Sequence, residues 1–134
     1  MTIERLSLIL SALVFGSFGF AFLFWPTTMA GFVDIELSTP TAIVDFQATY
    51  GGLELGLAIF FAYCAVSHRW VHPALLLQVL SLGGLAFGRV VGISQGESTQ
   101  PIILWLLLAE VSGCALGLFA LTRTTPTVGA TGDK

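Results

Sequence analysis

Four long apolar segments follow one another along the chain, at about residues 6–25, 41–66, 73–93 and 101–121. A helix needs about 20 apolar residues to cross the ~30 Å of hydrocarbon in a bilayer, and each segment is near that length. Charged residues make up 10% of the chain, whereas soluble domains carry about 25%. The pattern predicts an all-α fold, an integral membrane four-helix bundle that forms a single domain over residues 1–123.

Prolines mark the boundaries of these segments. Pro26 follows the first segment, while Pro40, Pro73 and Pro101 stand at the starts of the other three. Proline is tolerated in the first turn of a helix because the N–H that it lacks would have no partner there. Residues 124–134 are rich in Thr, Gly and Pro, and we expect them to form a disordered tail.

The basic residues indicate how the chain is oriented. With four spans, both termini lie on one side of the membrane, which carries Arg5, Arg69, Arg123 and Lys134. The loops on the other side have neither Lys nor Arg, and carry Asp34, Glu36 and Glu97. Basic residues concentrate on the cytoplasmic side, so both termini are predicted to be cytoplasmic. With so few basic residues, the chain offers no basic surface, and nucleic acid is not an expected partner.

Ionisable side chains interrupt the apolar segments at four positions: Asp45, Glu54, Arg89 and Glu110. A charge at the centre of a membrane helix costs about 2.5–3.5 kcal/mol on insertion scales, so such residues tend to be paired or functional. On a regular helix that turns about 100° per residue, Gln47 and Tyr50 share a face with Glu54. From its depth in the membrane, the Arg89 side chain is within reach of Glu110 and of Asp45.

These side chains define a candidate polar site between the helices. A carboxyl group held in a low-dielectric interior suits acid–base chemistry, so Glu54 and Glu110 are the candidate catalytic residues. The candidate binding and orienting residues are Asp45, Gln47, Tyr50 and Arg89. The alternative is structural, because polar side chains also hold membrane helices together, at about 0.6 kcal/mol each on average. Several ionisable groups on converging faces favour a site over this alternative.

No metal site and no cofactor are predicted. His68 and His72 lie in the loop after the second segment, and Pro73 follows His72 at once, so we interpret both as loop residues. None of the four apolar segments contains a histidine that could ligate a haem. The sequence has no P-loop, dinucleotide-binding or zinc-binding pattern.

Glycines recur every four residues in the third segment, at Gly84, Gly88 and Gly92. Such stripes let membrane helices approach each other closely. They favour packing within the chain; the alternative is an interface for a homodimer or a larger membrane complex.

The polar positions of the second segment, Asp45-Phe-Gln47-Ala-Thr-Tyr50-Gly-Gly-Leu-Glu54, resemble the signature of an uncharacterised bacterial four-helix membrane family. The pattern D-x-Q/R-A-x-Y-G-G continues with Gly88-Arg89 in the third segment and Glu110 in the fourth. The resemblance implies four spans and a multi-pass protein of the bacterial inner membrane. It implies no activity, and the family often has a basic residue where this chain has Gln47.

Three functions are open at this point, and whether the protein is an enzyme is one of the open questions. The first is a protein that binds a lipophilic small molecule, and in a stronger form transforms it by acid–base chemistry. The second is a non-catalytic accessory subunit that packs against a larger membrane complex. The third is a proton-coupled carrier, which would need a polar path towards the inner face, where Gln78 is the one candidate.

Overall fold

The structure is a computed structural model that describes residues 2–124, so most of the predicted tail lies outside the described residues. All regular secondary structure among these residues is helical. In chain order the elements are α1 (Ile3–Phe24), α2 (Pro26–Gly31), α3 (Pro40–Phe46), a π-helix (Gln47–Gly52), α4 (Leu53–Val66), a 3₁₀ turn (His68–Trp70), α5 (Val71–Ser94) and α6 (Pro101–Arg123).

Four helical stretches are long and apolar enough to cross a membrane. These spans are, in order, Ile3–Phe24, Pro40–Val66, Val71–Ser94 and Pro101–Arg123. The second span combines α3, the π-helix and α4 into one continuous stretch. The prediction of four long apolar helices is therefore confirmed, with boundaries that differ from the predicted ones by a few residues.

Local sequence signals explain where the second span begins. Thr39 has an extended backbone, and its side-chain oxygen accepts a hydrogen bond from the backbone N–H of Ala42 at 3.1 Å. This caps one of the N–H groups that the first turn leaves without a helical partner. Pro40 occupies the next position, where its missing N–H has no consequence.

The helices pack as two close pairs. The first span lies along the second and the third lies along the fourth, while the first span also touches both members of the other pair. The second span makes little close contact with the third. The contact is weakest over α3 and the π-helix. The bundle is consequently held together by the first span, and a gap remains between the second and third.

The most deeply buried side chains of the spans lie towards the end of the bundle that carries the termini. Those with no exposed surface are Ser7, Leu8, Phe61, Cys64, Ala74, Leu75, Gln78 and Ala120. Each of them lies in the half of its own helix that is nearer to the chain termini. This half of the bundle is closed, whereas the opposite half is where the second and third spans separate.

Glycines bring the first and second spans into backbone contact. A Cβ atom added at Gly19 would lie 2.8 Å from the backbone nitrogen of Leu55 and 3.0 Å from the carbonyl oxygen of Gly51. The same atom added at Gly51 would lie 3.0 Å from Cα of Leu23. Backbone atoms cannot move aside as a flexible side chain can, so any larger residue at Gly19 must separate the two helices.

We predict that Gly19→Ala destabilises the protein by about 1–3 kcal/mol, because the added methyl group has no room beside α4. The unfolding free energy would be measured by titrating detergent-solubilised protein with a denaturing detergent. Gly56→Ala is the matched control, since a Cβ atom at Gly56 would meet nothing within 4 Å. Equal stabilities of the two variants would contradict the close approach of the first and second spans.

Candidate functional site

The second span is interrupted by a π-helical turn at the level of the candidate site. Between Gln47 and Gly52 the backbone hydrogen bonds run to the fifth residue, as in the bond from the Leu53 N–H to the Ala48 carbonyl. A π-turn contains more residues than an α-turn, so it shifts the faces on which later side chains lie. The regular spacing that placed Gln47, Tyr50 and Glu54 in one stripe therefore does not apply to this stretch.

Gln47 is used to join two helices. Its side-chain Nε2 donates a hydrogen bond of 2.7 Å to the carbonyl oxygen of Leu23. Leu23 lies in the last turn of α1, where carbonyl groups have no partner within the helix. The Gln47 amide thus caps the end of the first span and fixes the second span against it.

Glu54 lies beside the close contact of the first and second spans. Its Cβ atom would be 3.0 Å from a Cβ atom at Gly19. The carboxyl group is partly buried, and its Oε2 atom is fully buried without a hydrogen-bond partner among the described residues. The structure therefore does not join Glu54 to Arg89, although the sequence predicted that both belong to one site.

Arg89 and Glu110 form an ion pair between the third and fourth spans. The Arg89 Nε atom donates to both carboxylate oxygens of Glu110, at 2.8 Å to Oε1 and 2.9 Å to Oε2. The Arg89 side chain is 26% exposed and that of Glu110 is 9% exposed. Of the two partners that the sequence offered to Arg89, the structure selects Glu110. Asp45 is exposed and makes no contact with this pair.

The two terminal amino groups of Arg89 are left without partners. Neither Nη atom makes a hydrogen bond to a described residue, and neither is buried. Guanidinium groups present five N–H donors in a planar fork, so the four N–H donors on the two Nη atoms of Arg89 have no partner among the described residues. Glu110 holds the guanidinium from one side while its other edge stays accessible.

Arg89 lines a groove of about 410 Å³ between the second and third spans. The residues lining it include Tyr50, Gly84, Gly88, Arg89, Gly92 and Glu97. A Cβ atom at Gly84, Gly88 or Gly92 would meet nothing within 4 Å. The glycine stripe of the third span therefore does not pack within the chain, and forms the floor of the open groove.

The mouth of the groove adjoins a second cavity of about 300 Å³. It is lined by residues of the loops before the second and fourth spans and of the start of α6, and Glu97, Ser98 and Ile103 contribute to both cavities. The Gln100 side-chain amide donates a hydrogen bond of 2.6 Å to Oδ2 of Asp34. This bond ties the loop after the first span to the loop before the fourth.

From the sequence, Gln78 is only the one candidate for a polar path towards the inner face, and its role in joining the spans was not predicted. Gln78 is fully buried, and its Nε2 atom lies 2.9 Å from Ser7 Oγ and donates to the Gly113 carbonyl at 3.0 Å. Ser7 Oγ also lies 3.1 Å from Gln78 Oε1. Gln78 thus connects the first, third and fourth spans. The sequence does contain a signal for this role, because a lone amide in an apolar segment must find hydrogen-bond partners in a bilayer.

Within residues 2–124, no three side chains of the types that ligate metals come together. The family model described as "Domain of unknown function (DUF4345)" matches residues 3–121. No curated protein and no solved structure matches the chain.

We predict that Arg89 and Glu110 are energetically coupled by about 0.5–3 kcal/mol, as residues in direct contact usually are. The unfolding free energies of Arg89→Gln, Glu110→Gln and the double variant would give this coupling as a double-mutant cycle. Each single variant should be less stable than the wild-type protein, because it leaves the remaining charge without its partner. Additive effects of the two substitutions would contradict the ion pair.

Proposed function

The chain belongs to the DUF4345 family, and we propose that this member binds a lipophilic small molecule in the groove between its second and third spans. One observation carries the proposal. Arg89 is anchored to Glu110 through Nε while both Nη groups are without partners among the described residues, and Arg89 lies inside a span and lines a groove. Unsatisfied guanidinium donors at this depth are unfavourable unless a ligand or water accepts their hydrogen bonds.

The position of Arg89 along α5 supports an amphiphilic ligand. Arg89 is five residues before the end of the helix at Ser94, which corresponds to about 7.5 Å at 1.5 Å per residue. Gly84 and Gly88 follow in the direction of the membrane centre, and their missing side chains leave room for an apolar body. The polar end of the ligand would lie at Arg89 and its apolar part against the glycines.

The other groove residues have distinct roles in this proposal. Tyr50 lines the groove from the second span and offers a hydroxyl group to the same polar end. Glu110 orients the guanidinium and balances its charge. Gln47 acts indirectly, because its amide holds the π-helix that carries Tyr50 against the first span.

Acid–base transformation of the ligand is the stronger form of the proposal, and it rests on Glu54. Both oxygens of Glu110 are engaged by Arg89, so Glu110 is poorly placed to exchange a proton. Glu54 has a carboxyl oxygen that no other group engages, and acid–base catalysis would also require that oxygen to reach the ligand. Its position towards the first span favours binding over catalysis as the function of the groove.

We further propose that the protein resides in the bacterial inner membrane with both termini in the cytoplasm. Arg5, Arg69 and Arg123 lie at the terminal end of the bundle, whereas Asp34 and Glu97 lie at the other. This distribution follows the positive-inside rule. The groove would then open in the outer half of the bilayer.

The exposed glycine stripe favours a second candidate function, an accessory subunit or a homodimer that packs through Gly84, Gly88 and Gly92. A helix of another chain would then occupy the groove. Gly88→Leu would disturb both candidates, because it fills the groove in either case. Arg89→Gln discriminates between them, since it removes the charge while leaving the glycine surface available to a helix. A carrier has less support, because Gln78 is buried and engaged with Ser7 and Gly113.

We expect protein purified in membrane nanodiscs to retain a lipophilic molecule. The Arg89→Gln substitution should lower the retained amount about tenfold, which corresponds to the loss of one charged contact. Mass spectrometry of extracted lipids would identify and quantify the molecule relative to the bulk bilayer. Arg69→Gln is the matched control, because Arg69 lies in the connection between the second and third spans at the opposite end of the bundle. Equal retention by all three proteins would contradict the proposed function.

Glu54→Gln tests the catalytic form separately. If Glu54 transfers a proton, the variant should retain the bound molecule but accumulate it unconverted, because an amide cannot act as an acid or base. Full conversion by both Glu54→Gln and Glu110→Gln would contradict acid–base catalysis and leave binding intact.

A further inference from the structure

Resting on the proposed binding function, we infer that the polar end of the ligand is an uncharged hydrogen-bond acceptor. Its chemistry would be that of a carbonyl group in a ketone, quinone or ester, and not that of a carboxylate or phosphate. The inference follows from the balance of charges around the groove and from the donors that the groove leaves free.

The charged groups that line the groove or are paired with its lining sum to a negative value, because two carboxylates accompany one guanidinium. Arg89 is the one cation among the described residues of its lining, and Glu110 neutralises it at 2.8 Å. Glu97 adds a second carboxylate at the mouth, where the groove meets the cavity that contains Asp34. The second span contributes Tyr50 to the lining and no charged side chain. An anionic ligand would therefore add a third negative charge, after those of Glu110 and Glu97, around a single guanidinium.

Repulsion between like charges is strong where water is scarce, because the effective dielectric constant is low. A carboxylate at the Nη edge would share Arg89 with Glu110 and gain no net neutralisation. An uncharged acceptor leaves the Arg89–Glu110 pair intact and still accepts hydrogen bonds from the Nη groups. The groove thus favours a neutral acceptor over an anion of the same length.

The available donors match a carbonyl group in type. Each Nη group of Arg89 presents N–H donors, and a carbonyl oxygen accepts up to two hydrogen bonds. The Tyr50 hydroxyl lines the same groove and can donate as well. An alkane has no acceptor for these donors, so an apolar molecule alone would leave them unsatisfied.

The test uses three photoreactive probes that share a sixteen-carbon tail with a diazirine and differ only at one end. The ends are a methyl ketone, a sulfonate that stays ionised, and a plain methyl group. Each probe is added at the same mole fraction to nanodiscs that contain the full chain. Intact-protein mass spectrometry after irradiation measures the labelled fraction, and peptide mapping locates the labelled residues.

The wild-type protein should be labelled about tenfold more by the ketone than by the sulfonate or the methyl probe, as one favourable polar contact would give. The label should map to the segment of α5 around Gly84 and Gly88. Stronger or equal labelling by the sulfonate, still dependent on Arg89, would overturn the inference and leave the proposed function standing. Equal labelling by all three probes, unaffected by Arg89→Gln, would overturn both.

Two substitutions test the charge balance itself. Glu110→Gln frees the positive charge of Arg89, so the ratio of sulfonate to ketone labelling should rise about tenfold. Glu97→Gln removes the charge at the exposed mouth and should raise the same ratio by a smaller factor, because water screens that position. Glu97→Gln keeps the test valid if Glu110→Gln folds poorly. An unchanged ratio in a folded Glu110→Gln variant would overturn the inference.

Discussion

The bundle depends on close contact of its helices in the half that carries the termini. There the fully buried side chains gather around Gln78, whose amide binds Ser7 on the first span and Gly113 on the fourth. A bilayer supplies no water to satisfy a buried amide, so these hydrogen bonds can form only if the three spans keep their positions. The contact of Gly19 with the second span lies farther along α1, towards Phe24, and keeps the first two spans together in the other half. Because the helices are fixed at one end, they can separate at the other without the bundle falling apart.

The groove and the Arg89–Glu110 pair are consequences of that separation. Hydrophobic burial drives no association between helices in lipid, since acyl chains are as apolar as the side chains they replace. In the half away from the termini, the second and third spans therefore have no reason to close unless polar groups or small residues meet there. The polar group of the third span is bound to the fourth span instead, and its glycines face the groove. The result is an open groove that carries one anchored guanidinium.

Much of the fold could be predicted from the sequence, because span length, proline positions and hydropathy all act locally. The pairing of Arg89 with Glu110 was also within reach of helix geometry, although geometry alone left Asp45 as a second partner. The arrangement of Gln47, Tyr50 and Glu54 could not be predicted from helix geometry. The π-turn shifts the faces on which these residues lie, and no local residue pattern specifies a π-turn here. The exposed glycines of α5 were assigned to packing within the chain, since a stripe looks the same whether it faces a neighbour or a cavity. Only the arrangement of the helices distinguishes the two cases.

The shape of the groove determines how a ligand would reach it. The first part of the second span, α3 and the π-helix, has little contact with α5, so in a membrane the groove would open to the bilayer along its side. A lipophilic molecule would enter laterally from the membrane and meet Arg89 near the surface, with no need to cross water. The ion pair makes this route feasible, because a neutral Arg89–Glu110 pair is tolerated next to lipid where a lone guanidinium would attract water and headgroups. Glu110 would therefore have two functions that cannot be separated: it orients the donors, and it keeps the groove neutral enough for an apolar molecule to enter.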